Sequence, residues 1–385
     1  MLNPAEVDLL VQQLRPIPIE EVGTKAWKDQ RDSIEKLNVA SHQNANAKKD
    51  DYVMSYLIQH DKLSVLLHEL LVCEVWRHRV MPKAVDALLQ NPTGIYMYCY
   101  YESVLVNLIE CLGFFEEVIT GFGDDVLELV DYCWRNVSAL FSMGRTVNDI
   151  PAEPAVDDEG PTRFWHQINH LHRVVAMGCI SILWFVVDRL KSLPLAVTNS
   201  ILVKNDLPVG IAEVIEMQPW MRMDRSANKY QKFKGGQYAD IGAEDRQVVV
   251  ATEAHAWFIL HYLLCDRDTR TKYQYTKSKK ELIMRVKKFL HETMIDQLPA
   301  LMDVQRAVEE LSFLEPPTGT EEKFKHTLLI DQVPRLMTSI DGGSKGKDWI
   351  KLAERMKERL LSPESRMEDA QRYAALFDEL YQPQQ

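Results

Sequence analysis

The chain has 385 residues, of which 46% are hydrophobic and 26% are charged, a composition that is ordinary for a folded protein and argues against wholesale disorder. Its 45 basic and 56 acidic residues give a net charge of −11, which argues against general binding to nucleic-acid phosphates. The chain contains only 16 glycines and 17 prolines. Because a β-rich chain of this length needs many tight turns, this scarcity favours long helices.

Helical patterning begins near the first residue and continues through most of the chain. Val7 and Val11 share the spacing of one helix face, and Thr24 is a residue type that commonly caps the start of a helix. The longest apolar run, residues 174–187, is too short to cross a bilayer and fits a buried core helix. We therefore expect no membrane insertion.

One segment interrupts this pattern clearly. Residues 148–161 hold three prolines and five acidic residues with almost no apolar content. This composition predicts an acidic mobile loop over residues 148–162. We therefore expect N-terminal helical repeats over residues 1–147 and C-terminal helical repeats over residues 163–385. The later helices are predicted at residues 244–265, 278–293, 298–312, 322–339, 347–361 and 363–381.

Strand candidates are nearly absent, so the predicted class is all-α, with about fifteen helices. The exception is KYQKFKGGQYADI, which alternates around a Gly-Gly pair and predicts one short hairpin near residues 229–241. Two phrases, DKLSVLLHELL at 61–71 and NDLPVGIAEVIE at 205–216, share a helix-entry pattern that is common in armadillo and HEAT repeats. We therefore predict an armadillo/HEAT-like α-solenoid, with a bundle of helical bundles as the alternative.

The cysteines do not form a motif. No two of them are separated by only two residues, so neither a zinc knuckle nor a redox C-x-x-C pair is present. They lie mostly in apolar segments that are predicted to be helical, where cysteine behaves as a small buried hydrophobic residue. Free thiols suit a reducing compartment, and the first residues lack the pattern of a secretory signal peptide, so we expect a cytoplasmic protein.

The stretch FWHQINHLHR, residues 164–173, raises the question of a metal site. His166 and His170 have the H-x-x-x-H spacing that zinc peptidases use, but the position of the catalytic glutamate holds Gln167, which cannot act as a base. His172 falls on another side of the helix, so the three histidines cannot converge on one ion. We expect a non-enzyme whose histidines lie on a polar face. The alternative is a metal-dependent hydrolase centred on His166 and His170.

Residues 277–288, KSKKELIMRVKK, form a strongly basic segment in an otherwise acidic chain. One interpretation is a docking surface for an acidic partner. The other is the solvated face of an amphipathic helix that buries Ile283 and Val286. Nucleic-acid binding is a third and weaker interpretation, because only Tyr273 and Tyr275 supply aromatic rings nearby. The candidate partner-binding residues of this segment are Lys277, Lys279, Lys280, Arg285, Lys287 and Lys288.

A second candidate region, residues 220–238, breaks the helical pattern and combines aromatic with basic residues. An insertion of this kind can be a binding loop, or it can be a hairpin that caps the core. Its candidate partner-binding residues are Trp220, Arg222, Tyr230 and Phe233.

Several phrases in a fixed order give the chain a resemblance to a known family. They are GTKAWKDQRDSIEKLN, LLHELLVCEVWRHRVMP, VLELVDYCWRNV, NDLPVGIAEVIEMQPWMR, KKFLHETMIDQLPAL and LLIDQVPRL. In sequence and spacing they closely resemble the helical region of the zinc finger MYND domain-containing protein 10 family, over about residues 5 to 380. Each phrase is short, so the specificity lies in their order.

The resemblance implies a non-enzymatic cytoplasmic factor, a scaffold of the co-chaperone type, that acts in the preassembly of axonemal dynein arms for motile cilia. The partners that it implies are axonemal dynein chains, heat-shock chaperones and co-chaperones, and a ciliary leucine-rich-repeat protein with a CS domain. The expected location is the cytoplasm of ciliated cells, near centriolar satellites or the ciliary base. Neither nucleic-acid binding nor membrane insertion is expected.

The family also carries a C-terminal MYND zinc finger built from closely spaced Cys and His pairs. The sequence ends at YQPQQ, about where that module begins, and its own cysteines lack the spacing. We expect zinc only in that finger and no cofactor in the helical region. The family supplies no residue-level motif for the helical region, so the candidate residues rest on their own chemistry.

Overall fold

A computed structural model gives the fold over residues 2–48, 51–143, 160–224, 228–313, 334–343 and 346–381. Side chains are described for these residues except 86–88, 93, 160, 161 and 376–381. Within these ranges the protein is almost entirely helical, with one small antiparallel sheet. The main statement of the fold prediction, a protein dominated by helices, is therefore confirmed.

Helices of 5 to 29 residues follow one another along the described part of the chain. They are α1 Pro4–Gln13, α2 Lys25–Asn46, α3 Tyr52–Gln59, α4 Leu63–Val75, α5 Met81–Leu88, α6 Pro92–Gly113, α7 Glu116–Gly121, α8 Val126–Met143, α9 Gly160–Asp188, α10 Leu195–Asn199, α11 Leu207–Met217, α12 Ala251–Cys265, α13 Arg267–Lys272, α14 Lys277–Met284, α15 Glu292–Gln297, α16 Leu301–Phe313, α17 Arg335–Asp341, α18 Trp349–Leu361 and α19 Pro363–Tyr381. The described ranges thus hold more helices than the predicted fifteen, because several segments that were predicted as one helix are divided into two or more shorter helices.

The chain folds into two compact units that do not follow sequence order. Unit 1 contains Met1–Glu128, Val156–Val175 and Val333–Gln385, whereas unit 2 contains Leu129–Ala155 and Ala176–Gln332. This division differs from the predicted one, because the C-terminal helices pack with the N-terminal helices rather than with the middle of the chain. Residues 148–159 of the predicted acidic loop lie outside the described residues. Residues 160–162, predicted as its end, instead form the first turn of α9.

Helix starts follow the side chains that the sequence places there. Asn3 and Glu6 form a reciprocal capping box at α1, in which the Asn3 N–H donates to Glu6 Oε2 at 2.8 Å and the Glu6 N–H donates to Asn3 Oδ1 at 2.9 Å. The Thr24 hydroxyl accepts a hydrogen bond from the Trp27 N–H at 3.4 Å, which confirms the predicted N-cap of α2. Local sequence therefore sets these boundaries.

The core of unit 1 forms where α4 and α6 pack together with α2, and one carboxylate is buried inside it. Glu69 accepts hydrogen bonds from the Ile17 N–H at 3.0 Å and from the Tyr101 hydroxyl at 3.3 Å. Burial raises the pKa of Glu69 to about 7, because the low-dielectric surroundings disfavour its charged form. This side chain fastens the segment before α2 to α4.

The C-terminal helices α18 and α19 complete unit 1 by packing on its N-terminal part. α18 packs against α5, and α19 lies on α2, where Lys28 Nζ is 2.9 Å from Asp369 Oδ1 with both side chains buried. Lys28 also contacts Glu368, which is 340 positions away along the chain. A linear solenoid brings only neighbouring repeats into contact, so the predicted α-solenoid is not confirmed.

Unit 2 is centred on α11 and α12, which pack against each other, while α12 also packs on α16 and α11 on α14. Gly210 on α11 lies directly against the indole of Trp134 on α8. A Cβ atom at position 210 would stand 2.0 Å from Trp134 Cη2, so this close approach requires glycine.

The sheet of unit 2 has three antiparallel strands, β1 Met221–Asp224, β2 Lys229–Lys234 and β3 Gln237–Ile241, in the order β1-β2-β3. Gly235 and Gly236 connect β2 to β3 with φ of 59° and 82°, the left-handed backbone that a tight hairpin turn requires. The hairpin predicted near residues 229–241 is therefore present. The prediction missed β1, which pairs with β2 and makes the element a three-stranded sheet.

Among the described residues, two helical stretches are long and apolar enough to cross a bilayer by length and composition alone. The apolar window of Thr162–Asp188 is 78% buried inside the protein, and that of Glu244–Cys265 is 44% buried. Burial against other helices accounts for the composition of the first stretch, so hydropathy here is weak support for a membrane span.

Candidate partner-binding site

The basic segment forms α14 and the 3-10 turn Arg285–Phe289 that follows it. The Thr276 hydroxyl caps α14 by accepting from the Lys279 N–H at 3.3 Å. Ile283 and Val286 are fully buried, as the amphipathic interpretation predicts. The apolar side chains hold the segment on unit 2, and its basic residues remain on the outer side.

Three of the six candidate basic residues bind acidic residues at the two ends of α11. Lys279 Nζ is 3.0 Å from Asp206 Oδ2, before the first residue of that helix. Near its other end, Lys288 Nζ is 2.9 Å and an Arg285 nitrogen 3.4 Å from the carboxylate of Glu216. The hydrogen bond from Lys288 lowers the pKa of Glu216. These residues attach α14 to α11, so their charge is partly offset within the protein.

The other three basic residues have no acidic partner in the part of the chain that the structure describes. Lys277 and Lys287 are exposed and Lys280 is partly exposed, and none of them forms an ion pair with any residue that the structure describes. We call Lys277, Lys280 and Lys287 the basic face. Since the chain as a whole carries −11, this face is a local reversal of its charge.

The candidate residues of the second region mostly hold the sheet together. Trp220 and Arg222 are each 1% exposed and Phe233 is 8% exposed, so these side chains do not form an outer surface. The Arg222 Nε–H donates to Gln231 Oε1 at 2.7 Å. The ring of Tyr230 is covered by the guanidinium of Arg246, 3.8 Å from its centre. The structure therefore favours the interpretation of a hairpin that caps the core.

A cleft of about 590 Å³ lies between this sheet and the end of the basic segment. Lys232 of β2 and Glu253 of α12 meet in its wall, with Nζ and Oε2 3.7 Å apart and both side chains nearly fully buried. Burial raises the pKa of Glu253 and lowers that of Lys232, because each charge is removed from water. Its other lining residues are Gln218, Trp220, Met221, Ala243, Glu244, Arg246, Gln247, Phe289, His291 and Met294.

Sequence reasoning missed Lys232 and Glu253. They are 21 positions apart, on a strand and on a helix, and nothing in their local spacing indicates that they meet. A usable signal was the single acidic residue in the mostly apolar stretch ATEAHAWFIL, since a charged residue on a buried helix face needs a partner.

The histidine stretch lies on α9. Within the described ranges, no three His, Cys, Asp or Glu side chains are grouped so that they could hold a metal ion, and thus no third ligand stands beside His166 and His170. His172 lies near Arg77 and Glu102, and its Nε2 atom is buried. Burial, followed by the charge of Arg77, lowers the pKa of His172 to about 3, so this ring is neutral at physiological pH.

Two of the thiols, those of Cys99 and Cys265, are poor nucleophiles in the folded protein. All six cysteines are free, and burial raises the pKa of both Cys99 and Cys265 to about 12. Because the thiolate is the reactive form, these two side chains stay protonated and inert at neutral pH.

The structure thus defines a mostly helical protein in two units, whose candidate site is a basic face beside a cleft. The chain is similar to the zinc finger MYND domain-containing protein 10 homolog of Drosophila melanogaster, at 28% identity over 310 residues. The aligned part covers 79% of this chain and 67% of that protein. This similarity supports the resemblance to the zinc finger MYND domain-containing protein 10 family that the ordered phrases predicted. No family model matches the chain, and no solved structure matches it.

Proposed function

We propose that the chain is a non-enzymatic scaffold of the co-chaperone type that acts in the preassembly of axonemal dynein arms for motile cilia. The observation that carries the proposal is the similarity over 310 residues to the Drosophila relative. The family resemblance implies this role. The helical fold suits it, because packed helices offer long surfaces on which other chains dock.

The same proposal includes the location and the partners. It places the protein in the cytoplasm of ciliated cells, near centriolar satellites or the ciliary base. Its partners are axonemal dynein chains, heat-shock chaperones with their co-chaperones, and a ciliary leucine-rich-repeat protein with a CS domain. Zinc belongs to the MYND finger of the family. The armadillo-like arrangement of the helices stays a prediction.

The basic face supports a docking role for unit 2. Its three lysines have no internal acidic partner among the described residues, so an acidic segment of a partner can bind them without first breaking an ion pair. Charge complementarity of this kind increases the rate of encounter and selects partners. The three paired residues of the basic segment, by contrast, are already engaged with α11.

The test is an affinity capture from ciliating cells that compares the parent protein with a variant carrying Lys277→Glu, Lys280→Glu and Lys287→Glu. The matched control carries Lys25→Glu, Lys83→Glu and Lys351→Glu, which make the same change in net charge at exposed lysines of unit 1. We expect the parent and the control to retain dynein chains or chaperones and the basic-face variant to lose them.

Lys279 and Lys288 are left unchanged in this design. Reversing their charge would break the contacts with Asp206 and Glu216 and would confuse loss of binding with loss of packing.

If the parent protein captures neither dynein chains nor chaperones, the proposed function is wrong for this chain. If the control loses partners as fully as the basic-face variant, net charge rather than the basic face determines binding.

A further inference from the structure

The cleft of unit 2 contains a buried carboxylate, one of whose two oxygens lacks a hydrogen bond. Glu253 is 3% exposed, and its Oε2 atom has no hydrogen-bond partner among the residues that the structure describes. Lys232 Nζ lies 3.7 Å from this atom, beyond hydrogen-bond distance, and donates instead to the Val248 carbonyl oxygen at 2.5 Å. A buried acceptor without a donor is costly, and an incoming donor could bind Oε2 without breaking a hydrogen bond.

The walls of the cleft suit a positively charged group with an apolar stem. Trp220 and Phe289 contribute aromatic rings, and Met221 and Met294 contribute apolar side chains with thioether sulfurs. Aromatic faces attract cations, and methylene stems pack well on such walls. A volume of about 590 Å³ lies in the range of ligand pockets and leaves room for one long side chain with its flanking backbone.

The charges around the cleft are mixed. Besides Lys232, the other cation in the wall is Arg246, whose guanidinium is already stacked 3.8 Å above the ring centre of Tyr230. His291 and the second carboxylate, Glu244, are exposed at the rim. The net charge of −11 adds a long-range field that attracts positive groups.

We propose that the cleft binds an arginine or lysine side chain of a basic partner segment, whose guanidinium or ammonium group donates to Oε2 of Glu253. The last torsion of a glutamate has a broad energy well, so the carboxylate of Glu253, which lines the cleft, can rotate at little cost to meet the ligand. The inference rests on the proposed function only in taking the ligand to be part of a partner protein. The site itself is tested with small probes.

The experiment measures dissociation constants for the whole chain by ligand-observed NMR. The probes are the Nα-acetyl amides of arginine, lysine, citrulline and aspartate. Citrulline has nearly the shape of arginine but no charge, and aspartate reverses the sign. Two variants address the site, Glu253→Gln, which removes the negative charge, and Ala243→Trp, which fills the cleft from its rim without touching the buried pair. Ala45→Trp, at an exposed position of α2, is the matched control.

We expect the arginine or the lysine probe to bind about tenfold or more tightly than the citrulline probe, which is the usual effect of a hydrogen bond to a buried charged group. Both cleft variants should abolish this preference, and Ala45→Trp should keep it. Comparison of arginine with lysine tells which cation the cleft prefers. Should Glu253→Gln fail to fold, as judged by far-UV circular dichroism, Ala243→Trp alone decides.

Three results would overturn the proposal: equal binding of citrulline and arginine, tighter binding of aspartate than of either cation, or no detectable binding of the cationic probes. None of these bears on the proposed function, because the affinity capture depends on the basic face, whose charge is opposite. Conversely, if the affinity capture fails but the cationic probes bind, the proposed cation-binding cleft is supported and only the proposed role in dynein assembly is refuted.

Discussion

The buried ion pair between α2 and α19 allows the sharpest test of the fold. Lys28 and Asp369 have side chains that are 2% and 6% exposed, and their charged atoms are 2.9 Å apart. Lys28→Met keeps the length of the side chain but leaves Asp369 buried without its cation. Removal of one partner from a buried pair costs about 3–5 kcal/mol, because the remaining charge cannot be hydrated. The second contact of Lys28, with the half-exposed Glu368 at 3.3 Å, contributes less.

Because the protein has two units, global unfolding is not a two-state process and a single free energy would be ambiguous. The suitable assay is hydrogen exchange of the amides of α19, in which about 1.4 kcal/mol corresponds to a tenfold change in rate. We expect Lys28→Met to speed this exchange by about two to three orders of magnitude, or until α19 is unprotected.

The double variant Lys28→Met with Asp369→Leu removes both charges and should recover most of the protection. The reasoning is refuted if exchange of α19 does not change in the single variant, or if the double variant exchanges as fast as the single one.

Further predictions follow from three other contacts. Gly210→Ala should lower the melting temperature of unit 2, since about 1–3 kcal/mol of overpacking against Trp134 outweighs the higher helix propensity of alanine; Trp134→Leu should relieve the loss. Glu69 has a folded-state pKa of about 7 against 4.5 when unfolded, so the folded state keeps a proton that the unfolded state releases. The contribution of Glu69 to stability should therefore be fully present below pH 4.5 and fall by about 3 kcal/mol as the pH rises to 7. Glu69→Gln, compared in urea titrations that follow a probe placed in unit 1 at several pH values, should flatten this dependence, and an unchanged slope would contradict the assignment. Capture through the basic face should weaken steeply between low and high salt, and salt-independent capture would exclude an electrostatic contact.

Local features of the fold were predictable from the sequence because their causes are local. The cap at Thr24, the buried Ile283 in an amphipathic helix and the glycine turn before β3 each depend on a few adjacent residues. The strand β1 was not predictable, because four residues, MRMD, carry no clear alternation and become a strand only by pairing with β2.

The candidate site, like the fold, was only partly predictable from the sequence. The sequence identified the basic segment, but it could not tell Lys279, which contacts Asp206, from Lys277, which has no acidic partner among the described residues. That distinction depends on which acidic side chains the packing of α11 brings near, and the buried pair of the cleft depends on the packing of β2 against α12. Such pairs are set by tertiary structure, and spacing along the chain does not report them.

The discontinuous build of unit 1 has a consequence for synthesis on the ribosome. Residues 1–128 emerge before unit 2 is made, whereas the helices α18 and α19 that cover α2 and α5 are made only after it. Until then, Lys28 and Trp76 lack the partners Asp369 and Met356, and the surface that these helices cover stays open. Unit 1 must therefore complete its folding after unit 2 has been synthesised, and during this interval its uncovered apolar surface is exposed to aggregation.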